Sequence, residues 1–371
     1  MKKNIQKLIY KEDLTFVEIQ EAVRSIARGE VSDAQMGAFL VAVTQKGVSK
    51  EEFFGFASAM REFSVRVILD KYVVDSCGTG ADLSKTINIS TASAIVANAC
   101  GVNVLKQTNS AITSLCGSTD LLNTLEINLA RIPQDAKSQF NKNSIAFVHS
   151  PYFNEFAHVN NPIRQQIGIK TIFNYLGPLI NPAFPQAQLL GVSSFEMCEK
   201  MIYALQKLGT DRALVVNGLN PNIDEISICS KTAVYELKGG EISRSEISPE
   251  DFGFKMVDIS EIQGGNAIEN SKIIKDIFQG KIKGAKRDVI SMNAGAMIYL
   301  AGISSDIFEG AKLAQEAIEG GLVYEKLLKL QNLPLTPTPS NRQVDPLPST
   351  ARKDSPRRGA AARGEGSKAR V

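Results

Sequence analysis

A glycine turn followed by hydroxyl side chains, residues 78–91, is the stretch of the sequence with the clearest capacity for chemistry. The run reads Gly-Thr-Gly-Ala-Asp-Leu-Ser-Lys-Thr-Ile-Asn-Ile-Ser-Thr and follows a short β-rich segment at 72–74. Glycine lets successive backbone N–H groups point into one concavity. Ser90 and Thr91 then open an apolar helix, whose N-terminal N–H groups favour an anion. The run predicts a phosphate-binding loop, although it fits neither the P-loop nor the dinucleotide pattern. The alternative is a tight turn with Ser90 as an ordinary N-cap.

Three further stretches carry single polar side chains that could join this loop around one ligand. Lys106 directly follows a predicted strand at 102–105, where it could clamp an anion or simply be solvated. Ser118 stands at the start of a predicted helix, either as its N-cap or as part of a second phosphate-binding helix N-terminus. Arg164 offers a planar fork suited to a carboxylate, with a surface ion pair as the alternative. Each side chain therefore has a binding interpretation and a purely structural one.

Two adjacent carboxylates, Asp224 and Glu225, lie in the region after a predicted strand at 213–216. In an α/β sheet this is the side on which ligands bind. Beside a phosphate, such carboxylates suit Mg²⁺, which keeps several waters and bridges to phosphate oxygens. A solvated acidic turn is the alternative. The pair is the candidate metal site.

Helical periodicity dominates the first 66 residues. Apolar side chains recur at three- and four-residue spacing in three segments, which begin near 16, 36 and 53. Ser32 and Ser49 each precede a Gln or Glu by three residues, which is the capping-box signature of a helix start. Residues 1–66 therefore predict a compact helical unit.

From residue 72 onward, short apolar runs alternate with helical patterns. The predicted strands are 102–105, 145–148, 189–192 and 213–216, and further helices are predicted at 171–176 and around 297–322. This alternation is typical of an α/β domain with a mostly parallel central sheet. Ligands of open parallel sheets lie beyond the carboxyl ends of the strands, where the glycine turn falls.

Composition narrows the class of protein. Of 371 residues, 43% are hydrophobic and 22% charged, which is ordinary for a globular protein. The sequence contains no run of 18 uninterrupted apolar residues, so we expect no membrane span, and we expect no signal peptide. The five cysteines show no Cys-x-x-Cys spacing, and two histidines are too few for a histidine-based metal site. We expect neither a disulfide framework nor a zinc site, and we expect a cytoplasmic location.

The net charge of +3 comes from the last 40 residues. The segment 332–371 holds eight Lys/Arg, three Asp/Glu and six of the fourteen prolines, so residues 1–331 carry a net charge of −2. A segment this poor in large apolar residues predicts a disordered basic tail, and it need not be native to the protein. The acidic balance of 1–331 predicts no nucleic-acid groove there.

Seven motifs follow one another in a characteristic order. They read Gly-Thr-Gly-x-Asp at 78–82, Asn-Ile-Ser-Thr-Ala-Ser-Ala at 88–94, Lys-x-x-Asn at 106–109, Gly-Ser-x-Asp-Leu-Leu at 117–122, Arg-x-x-x-Gly at 164–168, Thr-Ile-Phe-Asn-x-Leu-Gly-Pro-Leu-x-Asn-Pro at 171–182 and Asp-Glu-Ile-Ser at 224–227. Their order and spacing closely resemble those of the anthranilate phosphoribosyltransferases, from about residue 5 to residue 331.

The resemblance implies a fold and an assembly. It implies the type II nucleoside phosphorylase-like fold, with a helical domain at 1–66, joined by a helical stretch near 165–185, and an α/β phosphoribosyl-transfer domain at 70–331. It further implies a homodimer. The implied substrates are phosphoribosyl pyrophosphate and anthranilate, the implied cofactor is Mg²⁺, and the implied pathway is tryptophan biosynthesis.

The resemblance also implies roles for individual residues, with catalysis by positioning and electrostatics rather than by a catalytic acid or base. The phosphoribosyl donor would be bound by Gly78, Ala81, Asp82, Thr86, Asn88, Ile89, Ser90, Thr91, Lys106 and Ser118. The anthranilate would be bound by Gly78, Asn109 and Arg164, with Arg164 on its carboxylate. The metal would be bound by Ser90, Asp224 and Glu225.

Departures from the family pattern cluster around the pocket, and most of them lie in the loop that faces the acceptor. Ala81 interrupts the family's Gly-Thr-Gly-Gly-Asp, and a family histidine aligns with Asn154. The family's Lys-His-Gly-Asn-Arg is replaced at three of five positions, by Gln107, Thr108 and Ser110. Threonine in place of glycine predicts a changed loop path, since it resists positive φ. Three functions follow as alternatives: transfer to anthranilate, transfer to another aromatic or heterocyclic acceptor, or nucleic-acid binding without catalysis.

Overall fold

The computed structural model of the chain describes residues 1–80, 85–110, 115–154, 156 and 163–331. Two of the predicted phosphoribosyl-donor residues, Ala81 and Asp82, lie outside these described residues, as does the predicted disordered tail at 332–371. Across the ranges just given, no helix is both long and apolar enough to cross a membrane.

Four helices form the N-terminal region: α1 (Lys2–Ile9), α2 (Phe16–Ala27), α3 (Asp33–Lys46) and α4 (Lys50–Arg61). The predicted starts of α3 and α4 are confirmed, since the side chains of Ser32 and Ser49 accept hydrogen bonds from the third residue of each helix. Sequence reasoning missed α1, a helix of only eight residues in which Leu8 alone is fully buried.

The eight described strands form one sheet. They are β1 (Val74–Gly78), β2 (Val104–Thr108), β3 (Ile145–His149), β4 (Ala187–Gly191), β5 (Arg212–Leu219), β6 (Asn222–Ile223), β7 (Thr232–Lys238) and β8 (Glu241–Ile247). The order is β3-β2-β1-β4-β5-β7-β8, with β6 paired to β5. The first five strands in this order are parallel, and β5, β7 and β8 are antiparallel. The expectation of a mostly parallel α/β sheet is confirmed.

Sequence reasoning missed the β7–β8 hairpin. Its signal is Gly239-Gly240, a two-residue turn in which both residues have positive φ, +60° and +81°. Such a glycine pair between alternating strands is a strong hairpin pattern.

The helices of the α/β region surround the sheet. They are α5 (Ile89–Ala99), α6 (Ser118–Thr124), α7 (Pro133–Asn143), α8 (Phe173–Leu176), α9 (Phe195–Lys207), α10 (Ala267–Phe278), α11 (Ala285–Leu300), α12 (Ile307–Glu319) and α13 (Leu322–Gln331). The predicted helix at 171–176 is shorter than expected and continues as a 3₁₀ turn, Gly177–Ile180. The helix begins two residues later than predicted, at Phe173, and ends at Leu176 as predicted. Pro178 explains why it does not continue as an α-helix, because proline cannot donate the next helical hydrogen bond.

The two faces of the sheet have different cores. On one face, α5, α6 and α10–α13 bury a large aliphatic cluster, within which α11 is buried throughout 288–300. On the other face, α1–α4 and α9 pack against Leu190 of β4 and Val215 of β5. The N-terminal helices therefore share a hydrophobic core with the sheet.

Gly295 at the crossing of α11 and α12 gives a first testable prediction. A Cβ at Gly295 would lie 2.3 Å from the backbone nitrogen of Ala311, where nothing flexible can move away. We expect Gly295→Ala to lower the free energy of unfolding by about 1–3 kcal/mol through overpacking. The measurement is denaturant unfolding followed by circular dichroism.

Gly37 of α3 supplies the matched control, since it is also in a helix interior. A Cβ there would meet only one side-chain atom, at 4.0 Å. Gly37→Ala should therefore be neutral or stabilising by up to about 1 kcal/mol, because alanine is the better helix former. Equal behaviour of the two variants would contradict the close-packed crossing.

Candidate active site

The site is built where the parallel strands end. Gly78 is the last residue of β1, and it lies in register with Gly191, the last residue of β4. Beyond Gly78 the chain turns at Gly80, whose φ of +71° is a conformation that glycine adopts without strain. The helix α5 then begins at Ile89. The predicted order of strand, glycine turn and helix is confirmed.

The interpretation of Ser90 as an ordinary N-cap is wrong. The N-cap residue of α5 is Asn88, and Ser90 lies inside the first turn. Its hydroxyl and its backbone N–H are therefore both at the helix N-terminus, where an anion is favoured.

The acidic segment 224–225 lies directly on the ends of β1 and β4. A Cβ at Gly191 would stand 1.6 Å from the carbonyl oxygen of Asp224, and a Cβ at Gly78 would stand 2.3 Å from its Oδ2. Only glycine at both positions leaves room for this approach. Sequence reasoning identified Gly78 and missed Gly191, although a glycine at the carboxyl end of a parallel strand was an available signal.

Both carboxylates accept hydrogen bonds from the predicted phosphate loop. The N–H of Gly80 donates to Oδ2 of Asp224 at 2.6 Å, and the N–H of Ser90 donates to Oε1 of Glu225 at 3.1 Å. Asp224 is 8% exposed and Glu225 is 9% exposed. The predicted acidic pair and the predicted glycine loop therefore meet, and the alternative of a solvated acidic turn is wrong.

Lys106 belongs to the same cluster. Its Nζ donates to the carbonyl oxygen of Ser76 and lies 3.2 Å from the hydroxyl of Ser90. The side chain is 2% exposed, so the alternative of a solvated lysine is wrong. Beneath it, Asp75 is fully buried, and desolvation raises the pKa of its carboxyl although the charge of Lys106 opposes that shift.

The neighbouring thiol does not contribute a nucleophile. Burial is the main cause that raises the pKa of Cys77 to about 12, and the carboxylates of Asp75, Asp224 and Glu225 add to that shift. The thiol is therefore neutral near pH 7, and a thiolate mechanism has no support here.

The segment before α5 is held by elements that pack on the same face of the sheet as α5. Thr86 forms a β-bridge with Gln263, and the amide of Asn88 accepts from Asn270 at 3.0 Å and donates to the carbonyl oxygen of Cys116 at 3.0 Å. Asn270 is a positioning residue that sequence reasoning missed. Asn270 lies in α10, 182 residues from Asn88 in the chain, so no local sequence pattern connects the two.

Two more predicted residues lie in the first turn of α5. The side chain of Ile89 is buried, so only its backbone can face a ligand. Thr91 is 1% exposed, and its hydroxyl has no hydrogen-bond partner among the described residues. A buried hydroxyl without a partner is rare, and a bound ligand would satisfy it.

Asn109 and Ser118 contact each other, although Asn109 is predicted to bind the acceptor and Ser118 the phosphoribosyl donor. The N–H of Asn109 donates to the hydroxyl of Ser118 at 3.0 Å, and the N–H of Thr119 donates to the carbonyl oxygen of Asn109 at 3.1 Å. The N-cap of α6 is Gly117 rather than Ser118, so the capping interpretation of Ser118 is wrong. The Ser118 hydroxyl instead ties the end of β2 to α6.

Thr108 continues β2 in an extended conformation. Its hydroxyl donates to the carbonyl oxygen of Val148 at 3.0 Å and lies 3.2 Å from the hydroxyl of Thr119. The side chain of Thr108 is 1% exposed. Thr108 thus fixes the end of β2, where the predicted acceptor-facing loop at 106–110 lies, by side-chain hydrogen bonds that glycine cannot make.

The two amides at the other departures from the family pattern are also buried. The amide nitrogen of Gln107 donates to the hydroxyl of Ser150, and that of Asn154 donates to the carbonyl oxygen of Met60 at 3.3 Å and to the hydroxyl of Ser64 at 3.2 Å. Oε1 of Gln107 and Oδ1 of Asn154 have no partner within the described part of the chain. Each amide therefore presents an unsatisfied acceptor.

Arg164 lies in a short helical segment, 163–167, and is half-buried. Burial lowers the pKa of its guanidinium. That Asn109 and Arg164 bind the same substrate, with Arg164 on its carboxylate, stays a prediction.

The oxygen atoms of Ser90, Asp224 and Glu225 suit magnesium by their chemistry. Mg²⁺ is commonly held by one or two carboxylates, water and substrate phosphates rather than by an all-protein cage. The described residues contain no group of three or more His, Cys, Asp or Glu side chains arranged to hold a metal. The residues present fit a magnesium ion shared with a phosphate.

Two family models match the chain. The model described as the glycosyl transferase family, a/b domain, covers residues 70–324, and the helical bundle domain of the same family covers residues 2–64. An anthranilate phosphoribosyltransferase of Acetivibrio thermocellus is 40% identical over 88% of this chain and 94% of that protein. One from Thermoanaerobacter sp. strain X514 is 38% identical over 88% of this chain and 96% of that protein.

Solved structures agree with these sequence relatives. The anthranilate phosphoribosyltransferase of Thermus thermophilus superposes with a TM-score of 0.81 at 33% identity, covering 88% of this chain and 98% of that one. The Saccharomyces cerevisiae enzyme, in complex with PRPP and Mg, superposes with a TM-score of 0.81 at 25% identity, covering 88% of this chain and 96% of that one.

Proposed function

The chain belongs to the anthranilate phosphoribosyltransferase family, and we propose that it transfers phosphoribose from phosphoribosyl pyrophosphate to the amine of anthranilate. Pyrophosphate is released, and the step belongs to tryptophan biosynthesis. One observation carries the proposal: the N–H groups of Gly80 and Ser90 already hold the carboxylates of Asp224 and Glu225 at the strand ends. An anion-binding loop and a pair of metal-binding carboxylates thus meet at one point.

We assign the phosphoribosyl donor to the glycine turn, the N-terminus of α5 and the end of β2. The residues proposed to hold it are Gly78, Ala81, Asp82, Thr86, Asn88, Ile89, Ser90, Thr91, Lys106 and Ser118. The unsatisfied hydroxyl of Thr91 and the buried ammonium of Lys106 support this assignment. A cation in a dry site interacts strongly with phosphate.

Magnesium would be held by Ser90, Asp224 and Glu225, and when bound it supplies positive charge to the departing pyrophosphate. Lys106 and the backbone N–H groups neutralise the rest of that charge. Their positions are set before the reaction by β1, β2 and α5, so little reorganisation is needed in the transition state. Catalysis then rests on electrostatic stabilisation and on the alignment of the two substrates.

The acceptor would be held by Gly78, Asn109 and Arg164, with Arg164 on the carboxylate of anthranilate. Arylamines are neutral at pH 7, so the nucleophile needs no strong base. The neutral thiol of Cys77 is consistent with this reading, because a nucleophilic side chain is not required.

The decisive measurement is the loss of anthranilate fluorescence in the presence of phosphoribosyl pyrophosphate and Mg²⁺. We expect the fluorescence to fall with time, and to stay constant when either phosphoribosyl pyrophosphate or the metal is withheld.

A second acceptor class is favoured by one observation, the unsatisfied oxygens of Gln107 and Asn154. Pyrophosphate release with a different aromatic amine, and none with anthranilate, would replace the proposed acceptor.

Arg164 allows the acceptor half of the site to be tested separately. Arg164→Ala should raise the KM for anthranilate by about 10- to 100-fold, because a charge-assisted pair with the carboxylate is lost. The KM for phosphoribosyl pyrophosphate should change little. Arg28→Ala is the control, since Arg28 is an exposed arginine of the N-terminal region. Equal effects on both substrates would contradict the assignment of Arg164.

We also propose a homodimer formed through the N-terminal helices. Large apolar side chains are exposed on α1, α2 and α3: Ile9 is 66% exposed, Val17 is 61% exposed and Val41 is 43% exposed, and Tyr10 beyond α1 is 69% exposed. A contiguous patch of exposed apolar side chains commonly marks a protein interface, and these side chains are the candidates for one. Light scattering should give twice the mass of the chain, and Val17→Glu should shift it toward the single-chain mass. A single-chain mass for the unaltered protein would exclude this dimer.

The five cysteines are free in the structure. Free thiols fit a reducing compartment, so we place the enzyme in the cytoplasm.

A further inference from the structure

The two acidic side chains occupy hydrogen-bond donors that a phosphate would need. Oδ2 of Asp224 accepts from Gly80 at 2.6 Å, which is short for an N–H···O bond and therefore strong. Oε1 of Glu225 accepts from Ser90 at 3.1 Å, at the N-terminus of α5. A carboxylate and a phosphate carry the same kind of anionic oxygen. These contacts indicate that the two N–H groups can bind an anion. In this structure the carboxylates of Asp224 and Glu225 occupy them.

The backbone beneath these carboxylates is closely packed on both sides. The segment is pressed against Gly78 and Gly191, as the distances to a Cβ there show. On its other side, Asn293 of α11 accepts from the N–H of Ile226 at 3.0 Å and donates to its carbonyl oxygen at 2.9 Å. We therefore expect changes at residues 224 and 225 on ligand binding to come from rotation of the side chains.

We propose that Asp224 and Glu225 act as a carboxylate latch, defined by the two contacts to Gly80 and Ser90, which competes with the pyrophosphate group for the same N–H groups. The latch would open when magnesium binds, because the two carboxylates would leave the N–H groups of Gly80 and Ser90 and contact the metal instead. The freed N–H groups bind the phosphate oxygens. The proposal rests on the proposed function, since it concerns the site assigned to the phosphoribosyl donor.

The latch makes metal and pyrophosphate depend on one another. Pyrophosphate without metal must displace two carboxylates that remain nearby and negative, so it binds weakly. By linkage, the factor by which magnesium raises the affinity for pyrophosphate equals the factor by which pyrophosphate raises the affinity for magnesium. A protein with this device avoids holding the phosphoribosyl donor in a form that lacks the metal needed for the reaction.

Glu225→Asp separates the latch from simple charge repulsion. Aspartate keeps the negative charge but withdraws it by about 1.5 Å, the length of one C–C bond, so the contact to Ser90 is lost. Isothermal titration of the full-length chain with sodium pyrophosphate, in a chelator, is the measurement. We expect Glu225→Asp and Glu225→Gln both to bind metal-free pyrophosphate about tenfold more tightly than the unaltered chain, since Asp loses the contact to Ser90 and Gln keeps it only as a weaker, neutral hydrogen bond.

Other results of this titration would overturn the latch. If Glu225→Gln gains affinity while Glu225→Asp equals the unaltered chain, the carboxylate acts only through its charge. If neither variant gains affinity, the latch is also excluded. Binding of pyrophosphate to the unaltered chain in Mg²⁺ shows in either case that the proposed site for the phosphoribosyl donor stands. Failure to bind under every condition would overturn the site and the latch together.

A second measurement needs no variant. In the unaltered chain with ¹⁵N-labelled glycine and serine, Mg²⁺ alone should shift the amide resonances of Gly80 and Ser90 upfield, as their hydrogen bonds to the carboxylates are released. The resonance of Gly37, far along the chain in α3, serves as the control. Unchanged resonances of Gly80 and Ser90 at saturating Mg²⁺ would exclude exchange of the carboxylates between the N–H groups and the metal.

Discussion

The double variant Asp224→Asn with Glu225→Gln is expected to lose turnover by about 10³-fold or more. Metal-ion stabilisation of a departing charged group is worth several kcal/mol, and each 1.36 kcal/mol is a factor of ten in rate. The neutral amides are much weaker magnesium ligands than the carboxylates, because they carry no charge. The measurement is initial-rate loss of anthranilate fluorescence at saturating phosphoribosyl pyrophosphate and Mg²⁺.

The double variant should fold normally, because both amides can still accept the hydrogen bonds from Gly80 and Ser90. Circular dichroism and thermal unfolding check this. The control is Glu241→Gln, since Glu241 is an exposed carboxylate at the start of β8. Turnover close to that of the control would remove Asp224 and Glu225 from the metal site. The result does not depend on the latch, which concerns binding without metal.

Gly191→Ala is expected to have the second largest effect on activity. Its Cβ would lie 1.6 Å from the carbonyl oxygen of Asp224 and 2.3 Å from the carbonyl carbon, so the acidic segment must move. A misplacement of about 1 Å at a catalytic group can cost 10²-fold in rate. We therefore expect kcat/KM to fall by about 10²-fold, with an overpacking cost of about 1–3 kcal/mol in the free energy of unfolding.

Gly177→Ala is the matched control, since a Cβ at Gly177 would meet no atom within 4 Å. It should leave kcat/KM and unfolding nearly unchanged. Restoration of the Gly191→Ala rate by higher Mg²⁺ would indicate that the variant mainly weakens metal binding. Full activity of Gly191→Ala at ordinary Mg²⁺ would contradict the close approach of β4 to the acidic segment.

Local patterns predicted the elements that local interactions define. The starts of α3 and α4 were readable because Ser32 and Ser49 bond to a backbone N–H only three residues away. The same holds for the strand, turn and helix around Gly78. By contrast, α1 and the β7–β8 hairpin were missed: α1 has only eight residues, and the signal for the hairpin is confined to the glycine pair 239–240.

Among the capping interpretations, the errors have one cause. Ser90 and Ser118 were each given the option of capping their helices, yet Asn88 and Gly117 take those positions. A shift of one or two residues moves a hydroxyl from the cap into the first turn. Helix boundaries read from sequence are uncertain by about that much, and here the difference decides whether a hydroxyl caps a helix or faces a ligand.

The sequence by itself determined the chemical types at the site: a glycine turn, hydroxyls at a helix start, a lysine after a strand and two adjacent carboxylates. These are short-range signals, and their order along the chain also carried the family resemblance. Only the tertiary structure decided which of them meet. Asp224 lies 144 residues from Gly80, and they touch because β4 pairs with β1 and its terminal Gly191 lets the acidic segment cross over it. That contact depends on strand order and on the absence of one Cβ, which no local pattern specifies.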